Sequence, residues 1–154
     1  MSGDLSPPAR LSPADGVSAI IVLDDGRYVL QLRDERPDIF FPGYWCLFGG
    51  TIDEGEDERD AVERELREEL GLRSPTIRHL MRFQFDLSPM GLGTFIRSFF
   101  EIPVPAAMLG DLRLTEGQAL RAWTPAQALS LHPMTPYDEF ALWWHANRSK
   151  VRSA

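Results

Sequence analysis

The alternation of apolar and polar positions divides the chain into strands and helices before any motif is sought. Residues 16–23 form a β-branched apolar run, Asp25-Gly26 is a two-residue hairpin turn, and Tyr28, Val29, Leu30 and Leu32 continue as a second strand. From 33 to 43 the composition becomes charged and then rich in Pro and Gly, the mark of a loop, which leads to the apolar stretch 44–48 and the pair Gly49-Gly50. A helix is predicted from Asp57, which caps it, through a first turn made acidic by Glu58 and Asp60, to Gly71, which stops it. Beyond it Met81, Phe83, Phe85 and Leu87 alternate with Arg82, Gln84 and Asp86 as a half-buried strand; residues 88–93 turn, and 94–102 run back. Thr124-Pro125 and Thr135-Pro136 each set a capping threonine before a proline at the first helical position, and the second pair opens a last helix over 136–147. Strands placed before, between and around helices predict an α+β domain with a mixed sheet covered on both faces.

Composition narrows the class without changing that picture. The 154 residues, 44% of them apolar, suffice for one globular domain with a core of its own, expected over 16–148 between a flexible N-terminal segment, 1–15, and a short tail, 149–154. A lone Cys46 offers neither a disulfide framework nor a cysteine metal cluster and suits a reducing compartment. With no apolar signal core and no membrane-length apolar run, the expected location is cytoplasmic. His79, His132 and His145 are scattered without metal-ligand spacing.

Charge adds more. The net charge of −7 argues against sequence-independent binding to nucleic acid, which needs a basic surface. Residues 53–69 hold ten acidic side chains and three basic ones, so this one segment carries the whole of the net charge. On a helical wheel Val62, Leu66 and Leu70 make the buried stripe, Glu65 and Glu69 stack beside it at i, i+4, and Glu68 lies one step further round. Like charges so placed oppose the helix, and a divalent cation reverses the sign; carboxylate oxygens suit hard Mg²⁺ or Mn²⁺. The alternative is a solvated face whose carboxylates pair with Arg59, Arg64 and Arg67.

Spacing favours the metal. Gly50, five residues, Glu56, seven residues, then Arg64-Glu65-Leu66-Arg67-Glu68-Glu69-Leu70-Gly71-Leu72 resembles, at every specified position, the signature box of the Nudix hydrolases. The flanking hairpins and last helix are similar to that family's α/β/α sandwich. The resemblance implies a divalent-metal-dependent enzyme in which water attacks a diphosphate bond of a nucleoside diphosphate linked to another moiety. By the same resemblance Glu65, Glu68 and Glu69 carry Mg²⁺ or Mn²⁺, with a backbone carbonyl at Gly49 completing the site. Glu56 and Arg64 support the loop by an ion pair, and Gly50 serves its tight geometry. Catalytic candidates are Glu65, Glu68 and a carboxylate from a later loop, Glu116, with Glu101 in reserve. Arg33 is the candidate for contact with substrate.

Substrate class stays open between nucleoside triphosphates and nucleotide sugars or ADP-ribose. Pro89 lies where ADP-ribose-hydrolysing members have a proline, but the surrounding Ser88-Pro89-Met90-Gly91 also makes a plain turn. Phe48 replaces the proline common before the two glycines, which bears on loop shape. Trp45 and Cys46 read as packing residues. Trp143 and Trp144 are expected to divide between the core and a surface contact, and dimers are common among similar proteins, which leaves a homodimer open. The rival function is an inactive Nudix-fold module that senses a nucleotide without turnover.

Overall fold

A computed structural model describes residues 14–73 and 75–154. The expected N-terminal segment 1–15 therefore lies outside the described residues except for Ala14 and Asp15. Asp15 is tied to the domain, its carbonyl accepting from Ile52 N (3.1 Å) and its carboxylate from Ile96 N (2.9 Å).

Among the described residues seven strands form one sheet: β1 (Gly16–Leu23), β2 (Tyr28–Leu32), β3 (Trp45–Cys46), β4 (Phe48–Thr51), β5 (Arg78–Asp86), β6 (Thr94–Val104) and β7 (Ala119–Trp123). The order β3-β2-β1-β6-β5 has β1 at its centre, with β4 pairing β1 and β7 pairing β2. The β1–β6 pair is parallel and the others are antiparallel, so the sheet is mixed as predicted. The β4–β1 and β7–β2 pairings join segments that no local pattern announces, and β7 is an element the hydrophobic alternation did not mark.

The continuous apolar run of β1 follows from burial on both faces. Val17, Ala19 and Ile21 meet Phe100, Ile102 and Val104 of β6 on the face covered by α1 (Glu58–Leu70), where Val62, Leu66 and Leu70 are buried as the wheel requires. Ile20 and Phe99 point the other way, toward α2 (Pro125–Ala128) and α3 (Pro136–Asn147), and pack with Ala128, Ala141 and Leu142. The result is helix, sheet, helix.

Helix α1 starts and stops on the residues its sequence names. Asp57 accepts from Asp60 N at 2.8 Å, and Gly71, left-handed at φ 67°, closes the last turn onto the Arg67 carbonyl. The two threonine caps differ. Thr124 makes a capping box with Gln127, whereas Thr135 turns its hydroxyl to the Asp138 carboxylate. Residues 149–154 carry neither helix nor strand and are exposed.

Candidate active site

The box loop is built around glycines that leave no room for a side chain. Strand β4 crosses β1 in the register Ser18↔Gly49 and Val17↔Gly50. At Gly49 (φ 144°) a Cβ would collide with the Val17 carbonyl, and at Gly50 it would occupy the place of the Glu65 carboxylate. Gly50 thus lets α1 bring Glu65 against the sheet.

Arg64 is the clasp between loop and helix. Its Nε and Nη2 hold Glu56 at 2.8 and 2.9 Å, Nη2 also donates to the Thr51 carbonyl (2.9 Å), and Nη1 reaches Glu65 (2.8 Å) and Glu68 (3.3 Å). Arg64 holds the Glu56 carboxyl below its usual range, while the carboxylates around Arg64 raise its own pKa further. Glu56 and Arg64 thus form the ion pair expected from sequence, and Arg64 extends it to Glu65 and Glu68.

Glu69 faces the other way. Its Oε2 accepts from Gly49 N at 3.0 Å, and burial pushes its carboxyl up to about 8, reinforced by Glu65 and Glu116 and opposed by Gly49 N–H and Arg33. Burial also raises Glu65 against the pull of Arg64. Among the described residues no three His, Cys, Asp or Glu side chains are gathered into a metal-holding cluster. The reason is visible: Glu65 and Glu68 share Arg64, and Glu69 turns to Gly49. Gly49 meets Glu69 through its N–H. The donor set nevertheless fits a hard divalent cation, because it is all oxygen and leaves Glu69 recessed with no ion-pair partner in direct contact among the described residues.

The late loop comes to the same place. Thr115 N donates to the Glu69 carbonyl (3.1 Å), Thr115 Oγ1 to the Glu68 carbonyl (2.9 Å), and Gly117 N to Asp34 (3.2 Å). The two Thr115 bonds satisfy carbonyls at the end of α1, and with the Gly117 bond they hold Glu116 in a cleft lined by Glu69, Arg33, Arg36 and Gly117. Arg33 is aimed by its Nε bond to the Phe40 carbonyl (2.8 Å). Arg36, which no motif marks, adds a second cation there, paired with Asp38. Glu101, the reserve candidate, lies on the α3 face, where His145 (2.6 Å) and Arg78 (2.9 Å) hold it below its usual range. It takes no part in the cleft.

The sequence matches the NUDIX domain family over residues 12–143. The chain belongs to the Nudix hydrolase family. It is an enzyme of the Nudix pyrophosphohydrolase type, acting on phosphorus-containing acid anhydrides. It is similar to the CTP pyrophosphohydrolase of Escherichia coli (strain K12), 32% identical over 123 residues, which is 79% of this chain and 84% of that protein. A local match to the nucleoside triphosphatase NudI of Escherichia fergusonii is 46% identical over 52 residues but spans only 33% of this chain and 36% of that one. The crystal structure of the MutT protein from Methanosarcina mazei Go1 shares the fold, with TM-score 0.72 at 23% identity over 92% of this chain and 98% of that one.

Next to the Nudix box, on the α3 face, lies an apolar pocket that sequence reading did not find. Phe41, Leu87, Phe95 and Tyr137 wall it, with Thr51 and Arg97 at its polar side. Phe41 adopts φ 50°, left-handed and strained for a bulky residue, with its ring 5.3 Å from Tyr44 and 6.0 Å from Tyr137. These residues come from five separate segments and have no common spacing. One signal was available: Arg97 is a lone cation on the same face of an apolar strand as Phe95 and Phe99.

Other readings resolve as packing. Trp45 stands edge-on to Trp123 with centroids 5.3 Å apart. Cys46 is buried and its thiol is pushed up to about 12 by burial, so it stays protonated. Phe48 is fully buried in the α1 layer. Pro89 belongs to a single 3₁₀ turn, Ser88–Met90. Trp143 is half exposed and Trp144 packs toward the α3-side core. Among the described residues no helix is long and apolar enough to cross a membrane.

Proposed function

We propose that this enzyme hydrolyses a diphosphate bond of nucleoside triphosphates with Mg²⁺ or Mn²⁺, water being the nucleophile. The observation that carries the reading is the cleft in which a recessed Glu69 faces Arg33 and Glu116 at the open end of the box helix. The likeness to a CTP pyrophosphohydrolase over most of both chains supports triphosphates over nucleotide sugars or ADP-ribose. Glu65, Glu68 and Glu69 would hold the metal, which when bound neutralises the diphosphate and activates water. Arg33, with Arg36 beside it, binds phosphate oxygens. That Glu116 lines the cleft, makes no hydrogen bond among the described residues and stands outside the box supports it as the carboxylate that takes the proton from water. Arg64 and Glu56 keep the carboxylates at working distance. The setting is cytoplasmic, and the chain acts on a small molecule rather than on nucleic acid or a membrane.

The test is product release from a panel of nucleoside triphosphates, nucleotide sugars, ADP-ribose and dinucleoside polyphosphates, with either metal. Cleavage of triphosphates ahead of the rest is expected. If a member binds and raises Tm but none is cleaved, the sensor reading replaces this one.

A linked result concerns protons. Since the Glu69 carboxyl titrates at about 8 without metal, Mg²⁺ must displace its proton at neutral pH. Mg²⁺ affinity should rise with pH, by up to about tenfold per unit, and level off above about 8. Calorimetry in two buffers of different ionisation heat reads the released proton, and an affinity that is flat across neutral pH removes Glu69 from the metal.

A further inference from the structure

The aromatic pocket holds a cation that the hydrolytic chemistry does not use. Arg97 sits on β6 beside Gly16 of β1, which in turn pairs with Thr51 of β4, so it stands level with the end of the box strand. Its Nε–H donates to Ser18 Oγ at 2.8 Å, and the Ser18 hydroxyl donates to Asp138 Oδ1 at 3.4 Å. Its guanidinium carbon lies 5.0 Å from the centroid of the Tyr137 ring. Gly16 makes the path possible, since a Cβ there would come within 2.6 Å of Arg97 Nη1. Three restraints therefore fix the plane of the guanidinium: the Nε bond, the aromatic face and the glycine floor. Among the described residues neither terminal nitrogen has a hydrogen-bond partner, and Arg97 lines the pocket.

A guanidinium held at Nε presents Nη1 and Nη2 as two parallel donors. Flat apolar walls beside such a fork suit a planar ring that carries acceptors on its edge. The bases differ there. Cytosine offers O2 and N3, and guanine offers O6 and N7, each as two adjacent acceptors; adenine sets an amino group beside every edge nitrogen the fork could reach together with it. We propose that Arg97 determines base specificity, selecting nucleotides of cytosine or guanine, which present an adjacent acceptor pair, over adenine nucleotides. The inference rests on the pocket serving the nucleoside of the triphosphate substrate proposed above. Arg97 acts on binding of the base, and Ser18 and Asp138 act through it as positioning residues.

The test compares kcat/KM for CTP, GTP and ATP in wild type and Arg97→Lys, together with calorimetric binding of CMP, GMP and AMP to both. Lysine keeps a cation beside Ser18 and Asp138 but has no planar fork, so the fold is retained while the readout is lost. Wild type should favour CTP or GTP over ATP by about tenfold or more, and Arg97→Lys should bring the ratio within about threefold, through KM rather than kcat. A general structural defect would lower all three substrates alike and leave the ratio in place. Equal use of the three by wild type, or an unchanged ratio in Arg97→Lys, overturns the inference while leaving the hydrolase reading intact. If no triphosphate is cleaved, that reading fails, and the monophosphates decide: preference for CMP or GMP lost in Arg97→Lys keeps the inference, and equal or no binding ends it.

Discussion

Glu69→Gln should lose about a thousandfold in kcat with the fold undisturbed. The amide oxygen of glutamine can still accept from Gly49 N, so the tie between α1 and β4 survives, while the negative charge required by a divalent cation is gone. The direction of the stability change separates this from misfolding. The Glu69 carboxyl is raised from 4.5 to about 8 in the folded chain, chiefly by burial. A raised group contributes stability in full below its unfolded pKa, and that contribution is lost as pH rises through the folded one. Metal-free wild type should therefore weaken between about pH 4.5 and 8, and Glu69→Gln, which stays neutral, should not. Thermal melts without metal from acidic to mildly basic pH, beside kcat at saturating Mg²⁺, check both halves. A variant that keeps more than about a tenth of the wild-type rate would take Glu69 out of the reaction.

The largest effect on stability should come from a residue outside the box. Asp138 is buried, and its carboxylate accepts from Leu47 N (3.1 Å), from the Thr135 hydroxyl and from Ser18 Oγ. Burial pushes its pKa up, and Arg97, whose Nε is bonded to Ser18, is the leading opposing influence. Asp138→Ala would strand a buried amide, two hydroxyls and the Arg97 charge together. Breaking such a network costs about 3 kcal/mol, or about 6–12 °C in Tm for a chain of this size. Asp138→Asn keeps an acceptor for Leu47 N and should lose less. Because Leu47 immediately precedes β4, the alanine variant should also need more Mg²⁺ for half-maximal rate. Melting within about 2 °C of wild type would mean that the network is not holding the loop.

The two residues differ in how they could be found. Glu69 belongs to a motif whose members lie within one loop and one helix, so their relative places follow from helical geometry alone. Gly50 could be marked in the same way, but that it must be glycine to admit the Glu65 carboxylate is a fact of packing. Glu116 was reachable only through resemblance, and what delivers it is a pair of Thr115 bonds onto the carbonyls that end α1. No motif marks Asp138: it lies in the first turn of α3, and its carboxylate turns inward to the segment before the box.

By itself, then, the order of residues determined the strands of the first hairpin, both ends of α1, its buried stripe and the gathering of its carboxylates on one shoulder, because each depends on neighbours within a few positions. Tertiary structure alone decided the parallel pairing of β1 with β6, the strand β7, the exclusion of Glu101 from the cleft and the pocket that Arg97 completes. The strand pairings join residues 81 to 95 positions apart, and His145 reaches Glu101 across 44. No periodicity encodes such a distance, and only the closing of the sheet and the packing of α3 against it bring the partners within hydrogen-bonding reach.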